Sequence, residues 1–580
     1  MVIAQQQQTA FDPFTLEVLW TRAMAIADEM AATLVRTSFS TIIRVNYDFA
    51  AGIFDASGEL LAQASHCAPG QLGSMPTVMH DFLAVYPVST LAPGDVLITN
   101  DPWIGSGHSP DIYVAAPIFH HDQLVGFACN SAHHMDVGGS LESNTRDVHE
   151  EGLLIPVSKL YEAGRENDML FRLFRKNVRL PAKSMGDLRA QLAANFVASE
   201  RVRQLLDEHD LDGLVPLTAA IAAQTEAAMR KAISAIPNGT YTCVYPVEER
   251  GRQGERLEIR LALTIKDGEA IVDYTGTSDQ VQRPINCVLN YSRSYSIVGL
   301  KMALCPDLPY NAGIQRPVTI VVPEANLLNA RFPIAVHGRT AIGQLIPEIV
   351  FTALAQIEPE RVIAGCGSVP MWVYSFRGSR PNGEWFHEGS HAMGGLGAQS
   401  GKDGLSAVAF PYNLADTPSE VMELETSLII VEERELLTDS GGPGAYRGGL
   451  GQRVTLRIVD GLESSLSFSA SRGRYERGPV GLLGGQDGSF GALYLNGELL
   501  PFEQRQVEVC SGDRITMDVP GGGGMHSPLE RDSLAVINDV RRGYVSSESA
   551  RDVYAVAIDP ANGQFDGPAT AELRQARLTT

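Results

Sequence analysis

The chain has 580 residues, 44% of them hydrophobic and 20% charged, with a formal net charge of −22. That length exceeds what one hydrophobic core supports, so several domains are expected, and the composition is that of an ordinary globular protein. The acidic balance, with no basic stripe, disfavours nucleic-acid binding, and no run of about 18 apolar residues marks a membrane-spanning helix.

Residues 1–12 lack the basic start and apolar core of a secretory signal and are expected to form a loose, flexible tail. The seven cysteines are scattered without a C-x-x-C pair, which argues against a disulfide framework and fits buried thiols in a reducing cytoplasm. From Pro13 to Thr37 the spacing predicts a helix with Asp12 as its N-cap. RVNYDFAAGIFDASGELLAQ then reads as strand, Asp-Ala-Ser-Gly turn and strand, with Asp48 inside the first strand. Residues 94–136 continue as short strands joined by Gly, Pro and Asp-containing turns. A helical block over 182–236 ends at Pro237-Asn238-Gly239, and strands return over 240–280. Helices are expected at 292–305 and 338–357, the second entered or interrupted at Pro347. From about residue 425 the texture is β, with glycine-rich loops at 441–451 and 520–528, and the last fifty residues look helical. The expected fold class is α+β: a multi-domain mixed α/β chain with a β-rich C-terminal region. Its expected divisions are the tail, an α/β domain at 13–239, a central α/β domain at 240–424, and a β-rich domain with terminal helices at 425–580.

The chemistry concentrates between Asn100 and Gly139. NDPWIGSGHSPDIYV and NSAHHMDVGG present His108, Asp111, His133, His134 and Asp136, with Asp101 just upstream. A mixed imidazole and carboxylate set suits Zn²⁺, Mn²⁺ or Fe²⁺, whereas an all-oxygen shell would favour Mg²⁺ or Ca²⁺. Pro110 biases Ser109 to extended geometry, so His108 and Asp111 lie in a turn that enters a strand. Adjacent histidines in a strand point to opposite faces, so one of His133 and His134 faces a given metal and the other supports it or acts as a general acid or base. The plainer alternative, histidines capping turns or satisfied in a core, suits any one of them better than five ligand-type residues in two strand-end segments.

Elsewhere, His387-Glu388-Gly389-Ser390-His391 has two histidines four apart, but its glycines disfavour the helix that a zincin site needs, and it reads as a structural or substrate loop. The glycine runs resemble phosphate nests only loosely. There is no Walker A, no strand–GxGxxG–helix and no G-x-S-x-G elbow, so the chain shows no nucleotide site of its own.

Together, NYDFAAGIFDASGELLAQ, NDPWIGSGHSPDIYV, NSAHHMDVGG, GDLRAQLAAN, GGPGAYRGGLGQR and PGGGGMHSPLERD resemble the hydantoinase B family. That family includes the B half of 5-oxoprolinase, caprolactamase subunits and the α-subunits of acetone carboxylase. The resemblance implies one half of an ATP-dependent ring-opening amidohydrolase acting on hydantoin, 5-oxoproline or a lactam. An A-type partner with an actin/sugar-kinase-like fold would bind ATP and Mg²⁺ and phosphorylate the cyclic amide. The B-type subunit would hydrolyse the activated intermediate at a divalent metal. Carried onto this sequence, the resemblance implies Asp48, His108, Asp111 and His133 as metal ligands and His134 and Asp136 as acid/base or supporting groups. Asp101 and Asp187 rank below them, and Arg44 and Arg179 are candidates for holding a phosphate or carboxylate. The alternative that the same resemblance allows is a metal-dependent subunit of an ATP-dependent ketone carboxylase.

Overall fold

The computed structural model describes residues 11–141, 144–558 and 565–578. Residues 1–10 of the expected tail lie outside them. Among the described residues, no helix is long and apolar enough to cross a membrane. The chain gathers into two compact units, Met1–Thr242 with Arg260–Arg339, and Cys243–Ile259 with Thr340–Thr580. The divisions at 239 and 424 drawn from sequence texture thus fall elsewhere in the structure, because residues 260–339 pack with the N-terminal unit.

The first unit runs α1 (Pro13–Thr37), α2 (Thr41–Arg44), β1 (Phe49–Asp55), β2 (Leu60–Gln63), α3 (Pro69–Val85), β3 (Val96–Thr99), β4 (Asp111–His120) and β5 (Gln123–His133). It continues through β6 (Ser158–Glu162), β7 (Arg165–Glu166), α4 (Asp168–Asn177), α5 (Pro181–His209) and α6 (Val215–Ser234). Strands β8 (Gly239–Arg250) and β9 (Arg256–Lys266) lead the chain into the second unit and back. The first unit then closes with β10 (Glu269–Asp273), α7 (Leu289–Leu304), α8 (Ala312–Gln315) and β11 (Val318–Val321).

Its centre is a seven-stranded antiparallel sheet in the order β2-β1-β5-β4-β3-β6-β7. α5 and α3 pack against opposite faces of this sheet. Adjacent residues of β5 show it: Asn130 bonds the Asn195 side chain and the Gln191 carbonyl on α5, while Ser131 bonds Gln71 on α3. A sheet covered on both sides has no polar face, which is why FAAGIFD of β1 is buried at every position. α1 is held as the sequence predicts: the Asp12 carboxylate accepts the Phe14 and Thr15 amides, and Leu16, Leu19, Trp20, Ala23, Ala27 and Met30 form its buried stripe.

In the first unit, two helices of ten residues or more, α3 and α4, are not marked in the sequence pattern. α3 contains Pro69, Gly70, Gly73 and Pro76, residues that read as breakers. Its glycines are there for close packing on α7. A Cβ on Gly73 would lie 2.6 Å from the Ser294 Cβ, and one on Gly70 would lie 2.5 Å from the Tyr291 ring. α4 is short and mostly exposed, burying only Phe171 and Phe174.

The second unit contains α9 (Thr340–Gly343), α10 (Ile346–Leu354), β12 (Trp372–Ser379), β13 (Trp385–Ala392), α11 (Ser419–Thr426), β14 (Ile429–Leu436) and β15 (Gln452–Ile458). It goes on through β16 (Leu466–Ser471), β17 (Ala492–Leu495), β18 (Glu498–Leu499), β19 (Gln506–Val509) and β20 (Arg514–Asp518), and ends in α12 (Ser533–Arg541), α13 (Ser547–Asp552) and α14 (Gly567–Leu578). The sheets β13-β12-β16-β19 and β14-β15-β20-β17-β18 share one core, in which Trp372, Tyr374, Phe376 and Phe468 meet Leu456, Ile515 and Met517.

The glycine-rich segments of this unit are a packing device. A Cβ on Gly448 would lie 1.9 Å from the Gly522 carbonyl oxygen, and one on Gly522 would lie 2.1 Å from that of Leu396. The amides of Gly522, Gly523 and Gly524 donate to the carbonyls of Gly449, Gly365 and Gln486 at 2.7–2.9 Å. Those N–H groups are therefore engaged by backbone and form no phosphate nest. His526, which follows the run, bonds Ser400 at 2.9 Å.

Gly73→Ala is expected to destabilise the first unit by about 1–3 kcal/mol, because the α3–α7 contact has no room for a methyl group. A thermal midpoint equal to that of the unmodified protein would show that the contact relaxes freely.

Candidate metal centre

Antiparallel register builds the centre. β4 begins at Asp111, which pairs directly with His133 at the end of β5, so the two side chains share one face. His108 lies in the turn before β4, and its Nε2 stands 2.7 Å from Asp111 Oδ1. His133 Nδ1 reaches the same oxygen at 3.2 Å. Asp48 does not sit inside β1 but just before it, after Tyr47 in the left-handed region (φ 60°). Its carbonyl accepts the His133 amide at 3.0 Å, and its Oδ2 lies 3.8 Å from His133 Nδ1.

Four supporting side chains carry no signal in the local sequence. Arg339, more than two hundred residues from Asp111, donates from Nη2 to Asp111 Oδ2 at 3.0 Å and from Nε to the Ser106 carbonyl. Its guanidinium lies over the Tyr291 ring, 4.6 Å from the centroid. The Ser106 hydroxyl donates to Asp111 Oδ2 as well. Gln71 donates to Asp48 Oδ1 at 2.7 Å while accepting from Ser131 at 2.6 Å. His337 places its ring 5.4 Å from that of His108 and is exposed. Asp111 Oδ2 is thereby held by Ser106 and Arg339, and Oδ1 is left to face the two imidazoles.

Electrostatics follow from that enclosure. Burial, aided by the nearby Arg339 charge, drives the His108 imidazole well below its ordinary value, so it is neutral. Burial opposes ionisation of Asp111, but His108, His133 and Arg339 outweigh it and hold the carboxyl well below the usual range. Burial raises Asp48 to about 6, against the pull of His133.

These residues fit a divalent transition ion. Ligand atoms of His108, Asp111 and His133 lie within 4.8 Å of one another, with Asp48 alongside. Donors at about 2.0–2.2 Å from a tetrahedral ion sit about 3.3–3.6 Å apart, and the separations of 2.7, 3.2 and 3.8 Å seen here bracket that spacing. The buried Nδ1 of His108 also has no hydrogen-bond partner.

The structure does not bring the other named residues to this centre. His134 points to the opposite face of β5, where its Nε2 lies 3.0 Å from Gln191 Oε1 and its ring packs on Phe174. Asp136 accepts the Arg179 and Leu180 amides before α5 and pairs with the Arg179 guanidinium, which accounts for both residues without an external anion. Asp187 accepts the Phe39 and Ser40 amides at the start of α2, Asp101 accepts the Trp103 amide, and Arg44 lies exposed on α2. His387 and His391 lie in strand β13 and not in a loop, and an i, i+4 pair in a strand is too far apart for the zincin geometry.

The family model of hydantoinase B/oxoprolinase matches residues 12–528. This chain belongs to the hydantoinase B/oxoprolinase family. The caprolactamase subunit beta of Pseudomonas jessenii is 30% identical over 580 residues, covering 97% of this chain and 99% of that one. The crystal structure of the ATP-dependent caprolactamase from Pseudomonas jessenii superposes with a TM-score of 0.88 at 29% identity, covering 98% of this chain and all of that one. The 5-oxoprolinase of Saccharomyces cerevisiae is 29% identical over 88% of this chain, which spans 42% of that longer protein. The mixed α+β fold is that of the caprolactamase chain.

Glu151 offers a pH handle beside this centre. Its Oε1 accepts from Thr145 and from the Val336 and His337 amides at 2.9–3.0 Å, and burial raises its carboxyl to about 7. A raised carboxyl stabilises the fold fully below its unfolded value, and that contribution is lost as pH rises through about 7. Glu151→Gln keeps the acceptor and removes the titration. The variant's thermal midpoint should fall less than that of the unmodified protein between pH 5 and pH 8. Parallel pH profiles would count against a buried, raised Glu151.

Proposed function

We propose that this chain is the B-type subunit of an ATP-dependent cyclic-amide hydrolase, acting on hydantoin, 5-oxoproline or lactam rings activated by an A-type ATP-binding partner. The observation that carries the reading is the convergence of His108, Asp111, His133 and Asp48 on one point of the buried sheet, in a chain of the hydantoinase B/oxoprolinase family. Two relatives support the division of labour. One is named as a subunit of caprolactamase, and the other is a single chain more than twice as long as the stretch matched here.

His108, His133, Asp111 and Asp48 would hold a divalent cation of the Zn²⁺, Mn²⁺ or Fe²⁺ class. Such an ion supplies Lewis acidity, making water a competent nucleophile near neutral pH. The chain's own residues supply the rest. Neutral His108 and ionised Asp111 present their donor atoms without a protonation change, and Ser106 and Arg339 fix the Asp111 carboxylate. Gln71 orients Asp48 from the helix behind it. His337, exposed beside His108, is placed to pass protons between the centre and solvent.

An unactivated amide is a poor electrophile, whereas its O-phosphorylated form accepts water readily. The water oxygen bonds to the ring carbon, the carbon–nitrogen bond breaks, and both water hydrogens end on the nitrogen, which leaves as an amine. A second water then releases the resulting acyl phosphate as carboxylate and inorganic phosphate. His134 and Asp136 take positioning roles in this scheme, His134 through the β5–α5 contact and Asp136 through the start of α5.

The test combines the purified chain with its A-type partner, ATP, divalent metal and a panel of cyclic amides. Ring opening with release of ADP and phosphate is expected. Bicarbonate-dependent consumption of a ketone instead would establish the carboxylase alternative. Asp111→Asn should abolish ring opening and bound metal, and Gln71→Ala or Arg339→Met should weaken metal binding about 10–100-fold. His134→Ala should spare the metal and lower thermal stability. Loss of the metal from the His134 variant, with retention in the His133 variant, would reverse the ligand assignment.

A further inference from the structure

A second pair of adjacent histidines lies at the other end of the β4–β5 hairpin. Its geometry is the reverse of that of His133 and His134. In a regular strand, neighbouring side chains point to opposite faces. Here the β4–β5 register shifts between Ile118 and Phe119, and the chain turns through His121 and Asp122 with φ of 47° and 61°. Bulge and left-handed turn cancel the alternation. The rings of His120 and His121 come to lie 4.0 Å apart, centroid to centroid, at 47°.

The last turns of α5 supply a carboxylate to the same point. Asp207 Oδ1 lies 3.2 Å from His120 Nε2 and 3.9 Å from His121 Nε2. The hairpin is anchored there by Arg203, one turn earlier on α5, whose Nε donates to the Phe119 carbonyl at 2.9 Å. Arg203 itself pairs with Glu200, so its charge is partly countered on its own helix. The three candidate ligand atoms lie within 4.8 Å of one another, and the separations of 3.2 and 3.9 Å bracket the edge of about 3.3–3.6 Å expected between donors on a tetrahedral ion.

We propose that His120 Nε2, His121 Nε2 and Asp207 Oδ1 form a second divalent-cation site, of the Zn²⁺ class because two of its three donors are imidazoles. Water fills the remaining coordination positions. The site is open to solvent, with the His121 side chain 83% exposed and that of Asp207 62% exposed, so its ion exchanges readily. It is separate from the candidate metal centre: β4 runs from Asp111 to His120, about 30 Å of strand. Nothing in the proposed hydrolysis passes through it.

The test is zinc titration of the full-length protein by calorimetry, comparing the unmodified chain with His121→Ala and with Asp207→Asn. The unmodified chain should bind one more zinc per chain than either variant at micromolar metal, with the variants at least about tenfold weaker at that step. Their thermal midpoints without metal and their ring-opening activity with the partner subunit should match those of the unmodified chain. Cobalt in place of zinc should add a visible absorption that the variants lose. Equal stoichiometry and affinity in all three proteins, or an extra zinc taken up only at millimolar metal, would overturn the proposal.

Discussion

The cross-strand pairing of Asp111 with His133 is the constraint on which the rest of the centre depends. Antiparallel register puts these two side chains on one face of a sheet that is covered on both sides, and everything nearby compensates for the burial that follows. A carboxylate in that position is costly unless paired, and Arg339, Ser106, His108 and His133 share the task. The same register sends His134 to the α5 side, where it becomes part of a network with Gln191 and Asn130.

The helices around the sheet hold this arrangement rigid. α3 brings Gln71 to Asp48, and it can do so because Gly70 and Gly73 let α7 approach closely. α7 in turn carries Tyr291, whose ring lies against the Arg339 guanidinium. A residue chosen for packing and a residue chosen for charge are thus coupled through one helix pair. The second unit uses glycine in a related way, since its interlocked segments leave no volume for a side chain and use up their amides on one another. The two hairpin ends of β4 and β5 show how much depends on local backbone: regular strand geometry separates one pair of histidines, and a bulge with a left-handed turn unites the other.

Much of this was legible in the sequence. The 3.6-residue spacing after Asp12 identified α1 and its cap, and the ligand-type residues between Asn100 and Gly139 stood out by density alone. The motif set pointed to the family that the comparisons show. Where the reading failed, identifiable physics intervened. No helix was read at α3, because its glycines and prolines outweigh a weak apolar pattern, and tertiary packing overrides that propensity. The His387–His391 segment looked like a loop but pairs along its length with β12. Residues 260–339 read as part of a separate domain, although they gather with the first unit.

By itself, the sequence determined the elements with strong periodicity, the chemical types available for a metal centre and the family to which the chain belongs. Alternation along a strand could also state that His133 and His134 diverge, because that follows from backbone geometry alone. The resemblance named His133 and Asp48 among the ligands, but only the tertiary structure decided that His133 faces Asp111 with Asp48 beside it, and that Arg339, Gln71 and Ser106 complete the enclosure. Those choices depend on strand register and on contacts between residues far apart in the chain, and no local pattern of side chains encodes either.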